Sequence, residues 1–258
     1  MTPHNMGMTL RTASAAVFAM SCIGAALVAA TSTLDSTWAT AAVAATVVAL
    51  GAAALLVPVR TICEASFDED GEAISMPSRR MLTMFLALAA ALAAIAAVNH
   101  HDRIVVAVLM TLLLIPGVWC ASIDQATHRI PTRLIWTALS LVAAGVIVAG
   151  WVEHELGHGV QSLAWGAACG AGLLAVTVIT AGTPGLADVR LVVVLGTVCG
   201  YFGGEHVWGL IVFATMTAGL AAALQMGHRR LVRGPSGSGS IAFGPYLVLG
   251  ASAALIVV

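Results

Sequence analysis

The chain has 258 residues, 60% of them hydrophobic and only 9% charged, where an ordinary soluble domain carries about a quarter charged residues. That balance excludes a water-soluble globular protein and makes lipid the solvent for most of the chain. A formal net charge of −1 without a long basic patch excludes an electrostatically driven nucleic-acid binder. The cysteines Cys22, Cys63, Cys120, Cys169 and Cys199 form no C-x-x-C pair, which argues against a zinc ribbon, a thioredoxin-like centre or a disulfide framework. Four of them lie in apolar runs, where a thiol behaves as a small hydrophobe.

Hydropathy over windows of about 19 residues predicts nine spans, near 12–31, 38–59, 81–98, 104–123, 134–151, 160–181, 189–203, 207–226 and 241–258. The expected fold class is therefore an all-α polytopic transmembrane helix bundle. Arg11 ahead of the first apolar run gives it the look of a secretory signal, but the run is long enough to span and eight more follow, so a retained helix is expected. Between Arg60 and Arg80, Glu64, Asp68, Glu69, Asp70 and Glu72 mark an acidic, solvated loop. The stretch Gly234 to Ser240 reads as a flexible linker. The absence of an internal repeat argues against a transporter built from inverted halves.

Orientation follows from arginine, because the chain has no lysine and cytoplasmic loops collect positive charge. With the N-terminus inside, Arg11, Arg60, Arg79, Arg80, Arg129, Arg133, Arg190, Arg229, Arg230 and Arg233 are cytoplasmic, and Arg103 alone falls outside. A cytoplasmic N-terminus is therefore expected.

Carboxylates near membrane depth point to chemistry, since an ionised one there costs several kcal/mol without a partner or a function. Asp124 closes the fourth span and Asp188 opens the seventh, both on the expected cytoplasmic side. Taken alone, each also reads as an interfacial residue, Asp188 as a helix cap. Two carboxylates within about 4–6 Å in a poorly solvated site share a proton and titrate as a unit. One then serves as base toward water and the other as acid toward a peptide carbonyl, without a metal or other cofactor. Helix ends suggest Asp124, near a C-terminus, as the acid and Asp188, near an N-terminus, as the base.

Three ordered motifs accompany the pair. Asp124 is followed by Ile130, Pro131 and Leu134; Gly185-Leu186-Ala187-Asp188-Val189-Arg190-Leu191 precedes Gly196; and Phe243-Gly244-Pro245-Tyr246-Leu247 precedes Gly250. In this order they resemble the type IV prepilin peptidases, membrane aspartic proteases of the GxGD class. The resemblance covers roughly 104–258, which it implies to be the catalytic membrane domain. Residues 1–103 would add N-terminal transmembrane helices with the acidic loop. It further implies Asp124 and Asp188 as the catalytic pair, with Ile130, Pro131, Gly185, Ala187, Arg190, Phe243, Gly244 and Pro245 in support of substrate or structure. The implied substrate is a prepilin or pseudopilin, entering from membrane lipid as a hydrophobic helix and losing its leader at the cytoplasmic face of the plasma (inner) membrane. The chain departs from the family in having Ala187 where glycine precedes the acid, Thr132 where asparagine is usual and Arg190 where lysine is usual. It lacks the four-cysteine element of the larger bifunctional members, so N-methyltransferase activity is not expected. Apart from the other motifs, Ile130-Pro131 reads as a helix stop and restart and Phe243-Gly244-Pro245 as a membrane-entry turn.

One local motif competes. His154-Glu155-Leu156-Gly157-His158 matches H-E-x-x-H, in which two histidines one helical turn apart bind zinc and the glutamate serves as base. Against a zinc protease stand its expected position in an outer loop, the lack of a later Asn-Pro-Asp-Gly-type ligand motif, and its silence on Asp124, Asp188 and Phe243. An incidental outer metal site using His154, His158, Glu205 or His206 is a further alternative, with His100 and His101 as loop residues on the same side. A proton-coupled carrier or scaffold whose aspartates relay protons or stabilise packing is the non-enzymatic alternative.

Overall fold

The computed structural model describes residues 3–31, 37–66, 74–100, 103–180, 184–233 and 241–258. Asp68, Glu69, Asp70 and Glu72 of the acidic loop, His101 and the Gly234 to Ser240 linker lie outside the described residues. Of the described residues 89% are helical, and none of them forms a strand. In lipid every backbone N–H and C=O must find its partner within the segment, and a helix satisfies that condition.

Among the described residues ten helices follow one another: α1 (Pro3–Thr31), α2 (Thr37–Ala54), α3 (Leu56–Glu64), α4 (Arg79–Asn99), α5 (Ile104–Thr127), α6 (Thr132–Val152), α7 (Leu156–Ile179), α8 (Leu186–Phe202), α9 (Gly204–Arg233) and α10 (Gly244–Val257). Seven are long and apolar enough to cross a membrane: α1, α2, α4, α5, α6, α7 and α9. The two predicted spans outside that set form α8, of 17 residues, and α10, of 14. At 1.5 Å per residue they are about 25 and 21 Å long, short of a hydrocarbon core of about 30 Å.

The predicted second span, 38–59, divides in two. Proline's ring clashes with the carbonyl four residues back and its nitrogen cannot donate; Pro58 accordingly sits in the first turn of α3, and α2 ends four residues earlier, at Ala54. At the end of α2 the Ala52 carbonyl oxygen accepts the Leu55 N–H at 3.2 Å and also the Trp119 indole N–H of α5 at 2.8 Å.

α5 is the central post, with 83% of its apolar window buried against α1, α2, α4, α6 and α10. α8 is held by α6, α7, α9 and α10. The peripheral helices of this half are α7 and α9, with 22% and 17% of their windows buried. Small residues let the helices approach closely, as membrane packing favours. A Cβ on Gly196 of α8 would meet Cys169 of α7 at 2.9 Å, and one on Gly250 of α10 would meet the Ala214 backbone nitrogen of α9 at 2.6 Å.

Candidate active site

Asp124 lies in the last turn of α5 and is 4% exposed. The helix stops at His128, whose backbone is left-handed at φ 54° and whose N–H donates to the Asp124 carbonyl at 2.7 Å. A non-glycine residue there is unusual. The Thr127 hydroxyl fixes the exit by bonding the carbonyls of Ile123 and Arg129 at 2.9 and 3.0 Å. Ile130 and Pro131 are buried beyond this turn, and Pro131 is the N-cap of α6, a position where a missing N–H leaves no ladder bond unmade.

Asp188 is the third residue of α8 and is 9% exposed. Its Oδ2 accepts the Gly185 N–H at 3.2 Å, so the acid anchors the strand-like entry to its own helix. That entry is tied to α7, because the Thr177 hydroxyl donates to the Pro184 carbonyl at 2.9 Å. Asp188 Oδ1 is buried and has no hydrogen-bond partner among the described residues. Ala187 is partly buried against the apolar core and helical. Its backbone is outside the positive-φ region, so the position makes no demand for glycine's conformational freedom. A Cβ on Gly185 would meet Asp188 Oδ2 at 3.8 Å, an ordinary contact; Gly185 matters here through its N–H.

The third motif closes on the first. The Gly244 N–H, at the start of α10, donates to Asp124 Oδ2 at 2.8 Å across 120 positions of sequence. A Cβ on Gly244 would meet that oxygen at 2.7 Å and the carboxyl carbon at 3.1 Å, so only glycine admits the acid this close. Phe243 is the N-cap and Pro245 follows Gly244 in the first turn, where proline fits a helix start. Asp188 in turn lies within Coulombic reach of Asp124 and of His128. Arg190, one turn into α8, donates to the Thr132 hydroxyl at the start of α6 at 3.0 Å, joining the second motif to the Ile130-Pro131 turn.

Three helix ends thus converge on two buried carboxylates. Each carboxylate accepts one backbone N–H at a helix start, Asp124 from Gly244 and Asp188 from Gly185, so helix ends do not by themselves separate an acid from a base. Two carboxylates brought within a few ångströms of each other in a poorly solvated site share a proton and titrate as a unit. His128 was not singled out in the sequence; its one signal is a position four residues after Asp124, at the helix stop.

The opposite end of the bundle holds the H-E-x-x-H residues. His154 has φ 60° and precedes α7, which starts only at Leu156. His154 and His158 therefore do not share a helical face, the arrangement on which the zinc motif depends. Glu155 is instead engaged by His158, with Nδ1 to Oε2 at 2.6 Å, and both side chains are more than half exposed. The Tyr201 hydroxyl donates to Glu153 Oε2 nearby. His206 faces Glu205 at 4.0 Å, and His100 Nε2 and His206 Nδ1 are buried without hydrogen-bond partners among the described residues. No group of three or more potential metal ligands occurs among the described residues.

No family model, no curated protein and no solved structure matches this chain. The geometry of its own residues carries the functional conclusion.

Proposed function

We propose that this protein is a membrane aspartic endopeptidase that removes the leader of a type IV prepilin or pseudopilin, with Asp124 and Asp188 as the catalytic pair. The topology that goes with it has nine spans, α8 and α10 serving as the short ones. The N-terminus and the acid pair then face the cytoplasm across the plasma membrane, in keeping with the arginine distribution. Residues 104–258 form the catalytic part and 1–103 the N-terminal helices.

The observation that carries this proposal is the Gly244 N–H bond to Asp124 at 2.8 Å, with Asp188 in Coulombic reach. Nothing in local periodicity requires three distant segments to meet around two buried acids, whereas a paired-carboxylate hydrolase requires it. In the proposed reaction one carboxylate removes a proton from water as the water oxygen bonds to the scissile carbonyl carbon. The protonated partner hydrogen-bonds the carbonyl oxygen. When the C–N bond breaks, the departing amine takes up a proton from the pair. Asp188, whose Oδ1 is buried without a donor among the described residues, is the better placed to receive the water's proton.

Co-expression with a prepilin tests the proposal. Cleavage is expected to vanish in both Asp124→Asn and Asp188→Asn while each variant still accumulates in the membrane. Retained cleavage in either variant removes that residue from catalysis. Loss of proton flux without any proteolysis by the unaltered chain would instead establish the carrier alternative.

A further inference from the structure

A cleft of about 330 Å³ opens between the two peripheral helices α7 and α9, floored by α8 and α10. Its wall is apolar, with Trp165, Cys169, Val176, Trp208 and Leu247 among the lining residues. Both α7 and α9 expose most of their apolar windows, so the opening gives sideways onto lipid. Along α7 it runs from Trp165 to Val176, about 16 Å at 1.5 Å per residue, or half of a hydrocarbon core of about 30 Å.

Two of its lining residues connect it to the acid pair. Val192 is one turn beyond Asp188 on the same face of α8. Phe243 immediately precedes Gly244, whose N–H holds Asp124. A second apolar cleft of the same volume lies on the other side of the bundle, against α1, α5 and α6. Its α5 residues, Ile104 to Leu112, are three turns or more from Asp124, so it leads nowhere near the chemistry.

We infer that the α7/α9 cleft is the lateral docking groove for the hydrophobic helix of the substrate, seating the first three turns after the scissile bond. The occupant must arrive through lipid, because the groove opens there and is apolar. What favours a peptide over a lipid tail is where the groove ends, at Phe243 beside the Gly244 that bonds Asp124 and at Val192 one turn from Asp188. The volume takes the side chains of one helix face, not a whole helix of about 10 Å diameter, so the substrate lies along the opening. Gly172 lines this groove, and a Cβ there meets nothing within 4 Å. A larger side chain at 172 would fill the groove without disturbing the bundle. This assignment rests on the peptidase function proposed above.

The chain supplies its own probe. Cys169 is partly accessible in the groove and Cys22 is exposed in the second cleft, while Cys63, Cys120 and Cys199 are buried. A prepilin-like peptide with a basic leader and an apolar helix is given single cysteines along that helix, mixed with the Asp188→Asn chain in vesicles and oxidised. Disulfides are expected with Cys169 at positions about seven residues, or ~10 Å, beyond the scissile bond, and none with Cys22. In the otherwise unaltered chain, Gly172→Leu is expected to raise KM about tenfold or more. Gly157→Leu, at the far end of α7 outside the groove, where a Cβ also meets nothing within 4 Å, is expected to stay within about twofold. Adducts at Cys22 instead, or no Cys169 adduct together with an unaltered KM in Gly172→Leu, would overturn the groove while leaving the peptidase proposal intact, provided the unaltered chain cuts the peptide. A chain that cuts no such peptide, with or without its aspartates, defeats the peptidase proposal itself.

Discussion

The two ends of the bundle each carry a motif that suggests protease chemistry, and their geometries differ in kind. At one end, Asp124, Asp188 and Gly244 come from three helices far apart in sequence, yet the acids are 4% and 9% exposed and Gly244 bonds Asp124 at 2.8 Å. At the other, His154, Glu155 and His158 are neighbours in sequence, yet the helix that should align them begins at Leu156. A motif defined by helical spacing has meaning only on a helix, and five residues suffice to produce one by chance. Long-range convergence on buried, charged groups is harder to obtain without selection, because burial of an acid is costly unless a partner or a function offsets it.

The comparison breaks most directly at the aspartates. General acid and base steps each contribute about 10²–10⁴-fold, so on the proposed reaction Asp124→Asn and Asp188→Asn should each reduce prepilin cleavage by at least that factor, measured on purified, membrane-reconstituted protein. Next in size is Gly244→Ala. The new Cβ would stand 2.7 Å from Asp124 Oδ2, closer than van der Waals contact allows, so the carboxylate or the start of α10 must shift. A displacement on the order of 1 Å at a reacting group costs about 100-fold, and this variant should lose activity on that scale while remaining folded.

Most of the helices were legible in the sequence, because a backbone in lipid has little choice but to form a helix wherever about 20 apolar residues run together. The exceptions have local causes. Pro58 divides the predicted 38–59 segment into α2 and α3, and α10 starts at Gly244, three residues after the predicted start, with its first N–H turned to Asp124; α8, at 17 residues, contains the short span predicted at 189–203. The identities of Asp124, Asp188 and the flanking motifs could be read as a pattern. Their contacts could not, because the bond between Gly244 and Asp124 depends on how α5 and α10 pack, which no periodicity encodes. His128 was missed for a related reason, since its proximity to Asp188 arises only after α5 stops in a left-handed turn. The α7/α9 groove likewise exists only where two helices both pack on α8 and leave a gap between them.

Smaller effects sharpen the same contrast. Arg190→Ala removes the bond to Thr132 at 3.0 Å, which links the entries of α6 and α8. A hydrogen bond of this kind contributes about 0.5–1.5 kcal/mol, so activity should fall about two- to tenfold, and Thr132→Val should give a similar decrease. Arg190→Ala combined with Thr132→Val should cost little more than either alone, which a double-mutant cycle on cleavage rate will show. Ala187→Gly introduces, at a helical position, the glycine that prepilin peptidases carry before the acid. Glycine in a helix costs about 0.5–1 kcal/mol relative to alanine, so this variant should melt slightly earlier in detergent with cleavage changed by less than about threefold.

The smallest expected effect is at the opposite end. His154→Ala, Glu155→Gln and His158→Ala should each leave cleavage within about twofold of the unaltered chain, and a chelator should do the same. The reason is geometric. His154 lies before α7 at φ 60°, and His158 is turned to Glu155 at 2.6 Å, so aligning both imidazoles on one ion would require α7 to gain a turn and the Glu155 contact to break. Both Glu155 and His158 are more than half exposed, and an exposed pair of this kind contributes little to stability, so the variants should also accumulate normally. If instead chelation or His158→Ala abolished cleavage while Asp124→Asn did not, the chemistry would belong to the exposed turn, and the convergence of the three helix ends would have to be read as packing.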